Sequence, residues 1–437
     1  MRSNMMLDRE SRDACQHWTR QQLEQYQLRR LNSLLDVVYR DNAFYRKKFA
    51  DAPRQLTSLS DLTHFPLSTK MDWINDDPGG VAIHHSYPAD HYRRYHRTSG
   101  TKGRPMVVLD TDEDWNWWLG TWQYVLDACQ IEEADRVLMA FSFGPFIGFW
   151  SAHDACLRRR CMVIPSGGMS TAARIELIRT ARPTVLFSTP TYAIHLGQQA
   201  ERQGQSLRDA NLRCVFVAGE PGGSVPSVRA AIENLYGAQV MDHAGATEIG
   251  PWGFGSRDGD ALHIIETEFI AEFLPPANPA LATGEDGDAT ELRELVLTCL
   301  GRTGAPAVRY RTGDLVRPIF ASDARASQPD ATIFVRLQGG IVGRADDMFV
   351  VRGVNVFPSS IDALVREFPE VGEYRLTLQR EGALDELQLE VEDRWHQPQR
   401  IAERLLNRLQ LRVEVVDVPE GSLPKSEGKS RRIVDRR

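Results

Sequence analysis

The sequence predicts an α/β protein in two parts. A large N-terminal domain of parallel α/β layers, with a small antiparallel β region, precedes a small mobile C-terminal α+β domain. Three observations predict this. Short apolar runs alternate with helix-length stretches between about Val137 and Ala218, as in βαβ units whose parallel strands are buried on both faces. Polar or glycine-rich residues follow each apolar run. Near Arg344–Asp347 the texture changes, as where one domain gives way to another.

Taken in order, Leu23, Tyr26, Leu31, Leu34, Leu35 and Val38 recur at helical spacing between about His17 and Phe49. That helix reads as scaffold, to which the sequence assigns no chemistry, and residues 53–97 are polar, mixed and poorly periodic. An aromatic-rich helix is expected over 115–126. Residues 137–142, 161–165, 184–188 and 214–218 read as strands, and 151–159, 171–180 and 192–203 as helices between them. The polar tails at 142–144, 166–168, 189–191 and 219–223 then stand beyond the carboxyl ends of the strands, where open α/β sheets bind ligands.

Residues 274–290 form a Pro/Gly/Asp-rich surface loop, with 294–298 and 334–337 as strands of the antiparallel region. In the C-terminal module Ser359 and Asp362 form a capping box for a helix over 361–368. Strands are expected at 374–379, 387–391 and 413–418, and a helix at 400–409.

With 42% hydrophobic and 25% charged residues in 437, the chain reads as an ordinary globular protein of two or more domains. A net charge of −7 argues against nucleic acid as a partner. Six cysteines (Cys15, Cys129, Cys156, Cys161, Cys214, Cys299) without a CxxC pair suit reduced thiols rather than disulfides or zinc. The polar first residues do not resemble a signal peptide, and no apolar run approaches ~18 residues. A cytoplasmic protein with no membrane partner is therefore expected.

The stretch TSGTKGRPMVV over 98–108 says most about chemistry. Gly100 and Gly103 sit among the hydroxyls of Thr98, Ser99 and Thr101 and the cations Lys102 and Arg104, before the strand-like Val107 and Val108. Glycines let successive backbone N–H groups converge on an anion, and the cations supply the charge a polyphosphate needs. The spacing is not that of the G-x-x-x-x-G-K-[ST] loop. A Gly/Ser/Thr-rich surface turn is the alternative.

Four other stretches carry candidate chemistry. In DHAGATEIG (242–250), Thr247 and Glu248 offer the hard oxygens that Mg²⁺ prefers beside phosphate; a helix N-terminus with a favourable Glu is the other reading. In RYRTGDL (309–315), Asp314 follows a tight Thr-Gly turn and is suited to take both hydroxyls of a ribose, or is a solvated hairpin acid. Over 343–358, Arg344, Asp346 and Asp347 mark either a hinge or a salt-bridged linker. GSLPKSEGKSRR (421–432) is either a basic disordered tail or an arm bringing Lys429 into a site.

Together with AGEPGG (218–223), GRADDMFVVRGVNVFPSSID (343–362) and GSLPKSEGKSRRIVDRR (421–437), these motifs resemble, in order, the adenylate-forming superfamily of acyl- and aryl-CoA synthetases. The similarity is strongest to its phenylacetate–CoA ligase branch and covers nearly the whole chain. It implies that Thr98, Ser99, Gly100, Thr101, Lys102 and Gly103 form the pyrophosphate-side loop. Thr247 and Glu248 would hold the α-phosphate and Mg²⁺, and Asp314 the ribose. Gly219, Glu220 and Pro221 would line the adenine pocket with Asp242, His243, Ala244 and Gly245. Arg344 would lie near the ribose, Asp346 would be the hinge, and Lys429 would reach the reacting carboxylate. The resemblance also implies the domain boundary, with domains expected at 1–345 and 346–437, in agreement with the texture change near Arg344–Asp347. The chain departs from the family at Ala244, where an aromatic residue is usual, and at Lys102 and Arg104. In an extended segment His243 should face away from Ala244.

The resemblance implies ATP, Mg²⁺ and coenzyme A as reactants, and an aromatic carboxylic acid as substrate. No charged residue occurs from Val137 to Ala152, and the aromatics there suit a flat apolar acid. Phe143, Gly144, Phe146 and Ile147 are the expected pocket residues, with Tyr192 and Ala218 as weaker ones; Phe141 and Trp150 are equally readable as packing. A carrier-protein thiol as acceptor, adenylyl transfer without CoA, and a non-catalytic nucleotide-binding homologue remain alternatives. A homodimer is compatible with the resemblance, though the sequence leaves the oligomeric state open.

Overall fold

The computed structural model describes residues 7–77, 80–98, 105–141, 144–276, 291–322, 331–345, 347–351, 354–381, 384–409, 411–424 and 432–436. Its N-terminal helix Arg20–Asp41 begins with a Thr19/Gln22 capping box and buries Leu23, Leu31, Leu34, Leu35 and Val38, the face that the leucine spacing predicts.

An eleven-stranded sheet organises the large part among the described residues. The strands Met162–Pro165, Arg136–Met139, Val185–Ser188, Cys214–Ala218 and Gln239–Ala246 lie side by side in parallel. The helices Ile147–Arg158, Thr171–Ala181, Pro190–Arg202 and Pro226–Tyr236 connect or flank them. Gln239–Ala246 is the seam, because its other edge pairs antiparallel with Gly250–Gly255. From there the sheet continues through Ala261–Ile264, Arg336–Arg344, Tyr310–Ile319, Arg293–Cys299 and Phe269–Leu274. The antiparallel region is therefore not a separate patch but the second half of the same sheet.

The aromatic helix Asp112–Ala128 starts at a Thr111/Asp114 capping box and packs Trp117, Trp118 and Trp122 into the core. Arg94–Arg97 pairs antiparallel with Val107–Asp110, and the sequence between them holds the predicted phosphate loop, of which 99–104 lie outside the described residues.

In the C-terminal module the strands Glu414–Asp417, Leu384–Asp393, Val371–Glu381 and Ile433–Asp435 form a separate four-stranded sheet. The helices Pro358–Val365 and Pro398–Leu409 cover it, with Ile361, Leu376, Leu389, Ile401 and Leu405 in their own core. The module touches the large part where Ser227 Oγ donates to Ala363 O at 2.7 Å and Arg432 Nη1 to Thr191 Oγ1 at 3.3 Å.

Several local expectations are corrected. The helix at 358–365 has Phe357 as N-cap with no side-chain cap. Ser359 Oγ instead donates to Val342 O at 2.7 Å, and Asp362 is taken by Tyr374 and Arg432, so no capping box forms. The strand expected at 334–337 runs Arg336–Arg344, and the loop expected over 274–290 lies mostly outside the described residues. Residues 309–315 hold neither a tight turn nor a hairpin tip. Tyr310–Ile319 is one strand whose register shifts after Leu315, with Gly313 at φ +76°. Nor does a helix begin at Thr247; that segment is a turn between two strands.

All six cysteines are free and buried. Burial pushes the Cys15 and Cys299 thiols up to about 12. Among the described residues no helix is long and apolar enough to cross a membrane.

Candidate active site

The seam strand Gln239–Ala246 ends where five parallel strands meet the antiparallel half, and most of the predicted site gathers around that end. Alternation along it sends Asp242 and His243 to opposite faces. Asp242 accepts from Ser224 Oγ at 2.7 Å and from the His243 N–H at 2.9 Å. Burial raises its carboxyl to about 6, against the lowering by Ser224. Gly223 has to be glycine here, since a Cβ would lie 2.6 Å from that of Asp242. His243 packs its ring 4.3 Å from Trp122 and 5.6 Å from Phe216. Ala244 is buried against Gly253, and Gly245 is exposed.

A cavity of about 20 Å³ is lined by Glu220, Pro221, Ser224, Asp242, His243 and Ala244, which joins two of the stretches predicted for adenine. Gly219 adopts φ +93°, a conformation glycine accepts without strain, and Glu220 Oε1 takes the Thr191 N–H at 2.8 Å.

Glu248 is buried and Thr247 half-buried in the turn after the seam strand. Glu248 Oε1 lies 2.9 Å from Lys70 Nζ. Lys70 comes from the poorly periodic stretch 53–97, in which motif reading named no site residue. It opens the one-turn helix Lys70–Trp73, started by a Thr69/Asp72 capping box. Trp73, fully buried, stacks between His84 at 4.2 Å and Tyr310 at 4.4 Å. Ser68 exchanges backbone bonds with Arg309 and Arg311 at 2.8 Å each, so this segment is fastened to the big sheet and holds Lys70 in place.

Behind the turn is a second residue that motif reading missed. Arg302, with no exposed surface, donates to Thr247 O at 2.9 Å and pairs with the buried Asp110 Oδ1 at 2.6 Å. Burial pushes the Asp110 carboxyl up, but Arg302 and His96 outweigh it and leave it below its usual value. No local sequence signal marks Arg302; only the fold brings it beneath Thr247.

The antiparallel half supplies Asp314 and Arg344, register neighbours on adjacent strands, with Arg344 Nη1 3.1 Å from Asp314 Oδ1. The structure thus joins two residues predicted to lie at one ribose. Thr98 is buried at the base of the phosphate loop, its Oγ1 accepting the Met106 N–H at 2.9 Å. Ser99, Gly100, Thr101, Lys102 and Gly103 lie outside the described residues, as do Phe143, Asp346 and Lys429.

Of the predicted acid pocket, Ile147 is buried at the start of its helix, Phe146 is half-buried before it, and Gly144 O accepts from Trp150 Nε1 at 3.0 Å. Phe141 packs in the core on Phe149 at 4.1 Å. Ala218, half-buried, pairs with His243 across the parallel strands. Tyr192 packs in the other hydrophobic layer, with Arg174 4.9 Å over its ring, away from Trp122 and His243.

Comparison with known proteins agrees with this layout. The AMP-binding enzyme family model matches residues 83–266, and that of the AMP-binding enzyme C-terminal domain matches 353–437. The phenylacetate-coenzyme A ligase of Pseudomonas putida is 33% identical, over 95% of this chain and 94% of its own. That of Escherichia coli (strain K12) is 31% identical over 95% of each. The solved 2-hydroxyisobutyryl-CoA ligase in its postadenylation state with 2-HIB-AMP superposes with a TM-score of 0.88 at 28% identity, covering 99% of this chain and 94% of that one. In its thioesterification state with CoA the score is 0.71. The chain belongs to the phenylacetate–CoA ligase branch of the AMP-binding, adenylate-forming enzymes, and is an AMP-forming acid–CoA ligase that makes an acyl-adenylate from ATP and passes the acyl group to coenzyme A.

Proposed function

We propose that the acid this chain activates is aromatic and phenylacetate-like. The observation that carries the reading is 33% identity to a phenylacetate-coenzyme A ligase along nearly the whole chain. The Phe141 and Phe149 rings, 4.1 Å apart, and the Trp122 and Phe216 rings around His243 support it.

A carboxylate is a poor electrophile. Its oxygen attacks the α-phosphorus of ATP and pyrophosphate leaves; the CoA thiol then displaces AMP. In the first step Thr247 and Glu248 face the α-phosphate, Asp314 and Arg344 the ribose, and the 98–103 loop the leaving pyrophosphate. The oxygens of Thr247 and Glu248 fit a Mg²⁺ ion that arrives with the nucleotide, since magnesium is commonly held by one or two carboxylates plus phosphates. No cluster of three or more His, Cys, Asp or Glu suited to a resident ion occurs among the described residues. Lys70 holds the Glu248 carboxylate in place; with an ion bound there, the carboxylate would be screened and the Lys70 ammonium would be left to face phosphate charge. Lys429 supplies a cation where charge develops in the adenylating transition state.

The second step needs that lysine gone and a path for the thiol. We assign the stationary part to 1–345 and the moving part to 346–437, with Asp346 as the hinge. The higher score against the postadenylation state than against the thioesterification state supports an arrangement of the first kind. Buried, unpaired thiols suit a reducing compartment, and we place the enzyme in the cytoplasm. The test is pyrophosphate release across aromatic and aliphatic acids, with and without CoA. Aromatic acids should lead, with thioester formed when CoA is added. Preference for a short aliphatic acid would overturn the aromatic assignment.

A further inference from the structure

His243 ends a row of core side chains on the face of the sheet opposite Asp242. Its ring lies against Trp122 and Phe216. Nδ1 is 2.7 Å from Gly253 O. A carbonyl only accepts, so Nδ1 carries the ring proton and Nε2 presents a lone pair. Burial lowers the imidazole to about 4, so at neutral pH it is uncharged and not a partner for a second carboxylate. Nε2 stands over Gly245, where a Cβ would come within 3.2 Å of it. Glycine at that position keeps the approach open. Among the described residues no donor bonds to Nε2. A nearly buried acceptor walled by aromatic rings costs free energy until a donor reaches it.

We infer that His243 is a specificity-determining residue that accepts a hydrogen bond from an O–H or N–H group carried by the acid near its carboxylate. The substrate class narrows to hydroxy- or amino-substituted aryl acids. The nearness to the carboxylate follows from the chain itself: Gly245 is two residues from Thr247, the expected α-phosphate contact. This rests on the acid-activating reading with the acyl group at the Ala218–His243 end of the seam.

The experiment compares acids that differ by one donor: phenylacetate with mandelate and with 2-hydroxyphenylacetate, and benzoate with 2-hydroxybenzoate and 2-aminobenzoate. ATP–pyrophosphate exchange is followed in the full-length enzyme and in His243→Ile and His243→Gln. In at least one pair the donor-bearing acid should lead its parent by about 10-fold or more in kcat/KM. His243→Ile should bring that ratio to about 1 by lowering the donor-bearing acid toward its parent within the same variant, and His243→Gln, which keeps an acceptor, should retain part of it. Preference for the parent in every pair, or an unchanged ratio in His243→Ile, overturns the inference while leaving adenylation standing. If His243→Ile does not fold, the wild-type ratios and His243→Gln decide. Absence of exchange with every acid overturns the adenylating reading itself, and the inference with it.

Discussion

Lys70 Nζ lies 2.9 Å from Glu248 Oε1. The two residues are far apart in the sequence, and a lysine from a poorly periodic stretch thereby neutralises the carboxylate proposed for magnesium. Lys70→Ala should lower adenylation by about 10²-fold, the scale of losing one well-placed donor in a transition state. Because Glu248 is buried, removing its cation should also cost about 1–3 kcal/mol of stability, more than a surface pair would. Pyrophosphate release and urea denaturation read the two effects. Unchanged release would remove Lys70 from the mechanism.

The roles proposed for Lys429 and Asp346 belong to different half-reactions, so their variants should separate the two. Lys429→Ala should cut pyrophosphate release by ~10²–10³ while sparing thioester formation from preformed acyl-adenylate. Asp346→Pro should do the reverse, impairing the thioester step more. Equal losses in both steps for the proline variant would argue against a hinge there.

Arg302 and Asp110 are fully buried partners. Arg302→Met alone leaves an uncompensated carboxylate and should cost about 3–5 kcal/mol in urea denaturation. Adding Asp110→Leu should restore much of that loss. Activity should stay low in both variants, because Thr247 O has lost the donor that fixes its turn. A double variant no more stable than the single would show that the buried charge is not the source of the cost.

Asp242 makes stability depend on pH in an uncommon direction. Its carboxyl titrates at about 6 when folded, above its ordinary value of 3.8. Between these values the folded state holds a proton that the unfolded chain has released, so this contribution is present below the lower value and disappears as pH rises through the upper one. The loss is roughly 3 kcal/mol. Asp242→Asn should abolish the slope: its stability relative to the wild type should rise by about that much from about pH 4 to about pH 7 in the nucleotide-free protein. A difference constant with pH would refute the assignment.

The scaffold was legible because its periodicities are strong. Leucines at helical spacing place Arg20–Asp41, and β-branched runs place the parallel strands. What escaped reading depends on partners distant in sequence. Ser359 and Asp362 have the spacing of a capping box, yet Val342 and Tyr374 offer them better bonds, and Pro358 at the first helical turn has no N–H to cap. The Thr-Gly in 309–315 looks like a turn, but pairing on both edges takes it up as an irregularity within one strand, with Gly313 at φ +76° where the register shifts. Lys70 sits in a one-turn helix too short to show periodicity, and Arg302 in a loop whose meaning lies wholly in what it touches. Asp314 and Arg344 were named separately; register made them neighbours.

The burial of every cysteine has a practical corollary. A chromogenic thiol reagent such as a dithiobis-nitrobenzoate should report disappearance of the free CoA sulfhydryl against a nearly silent background from the native enzyme. Addition of denaturant should release six equivalents in a burst, giving an internal count of how much of the preparation was folded.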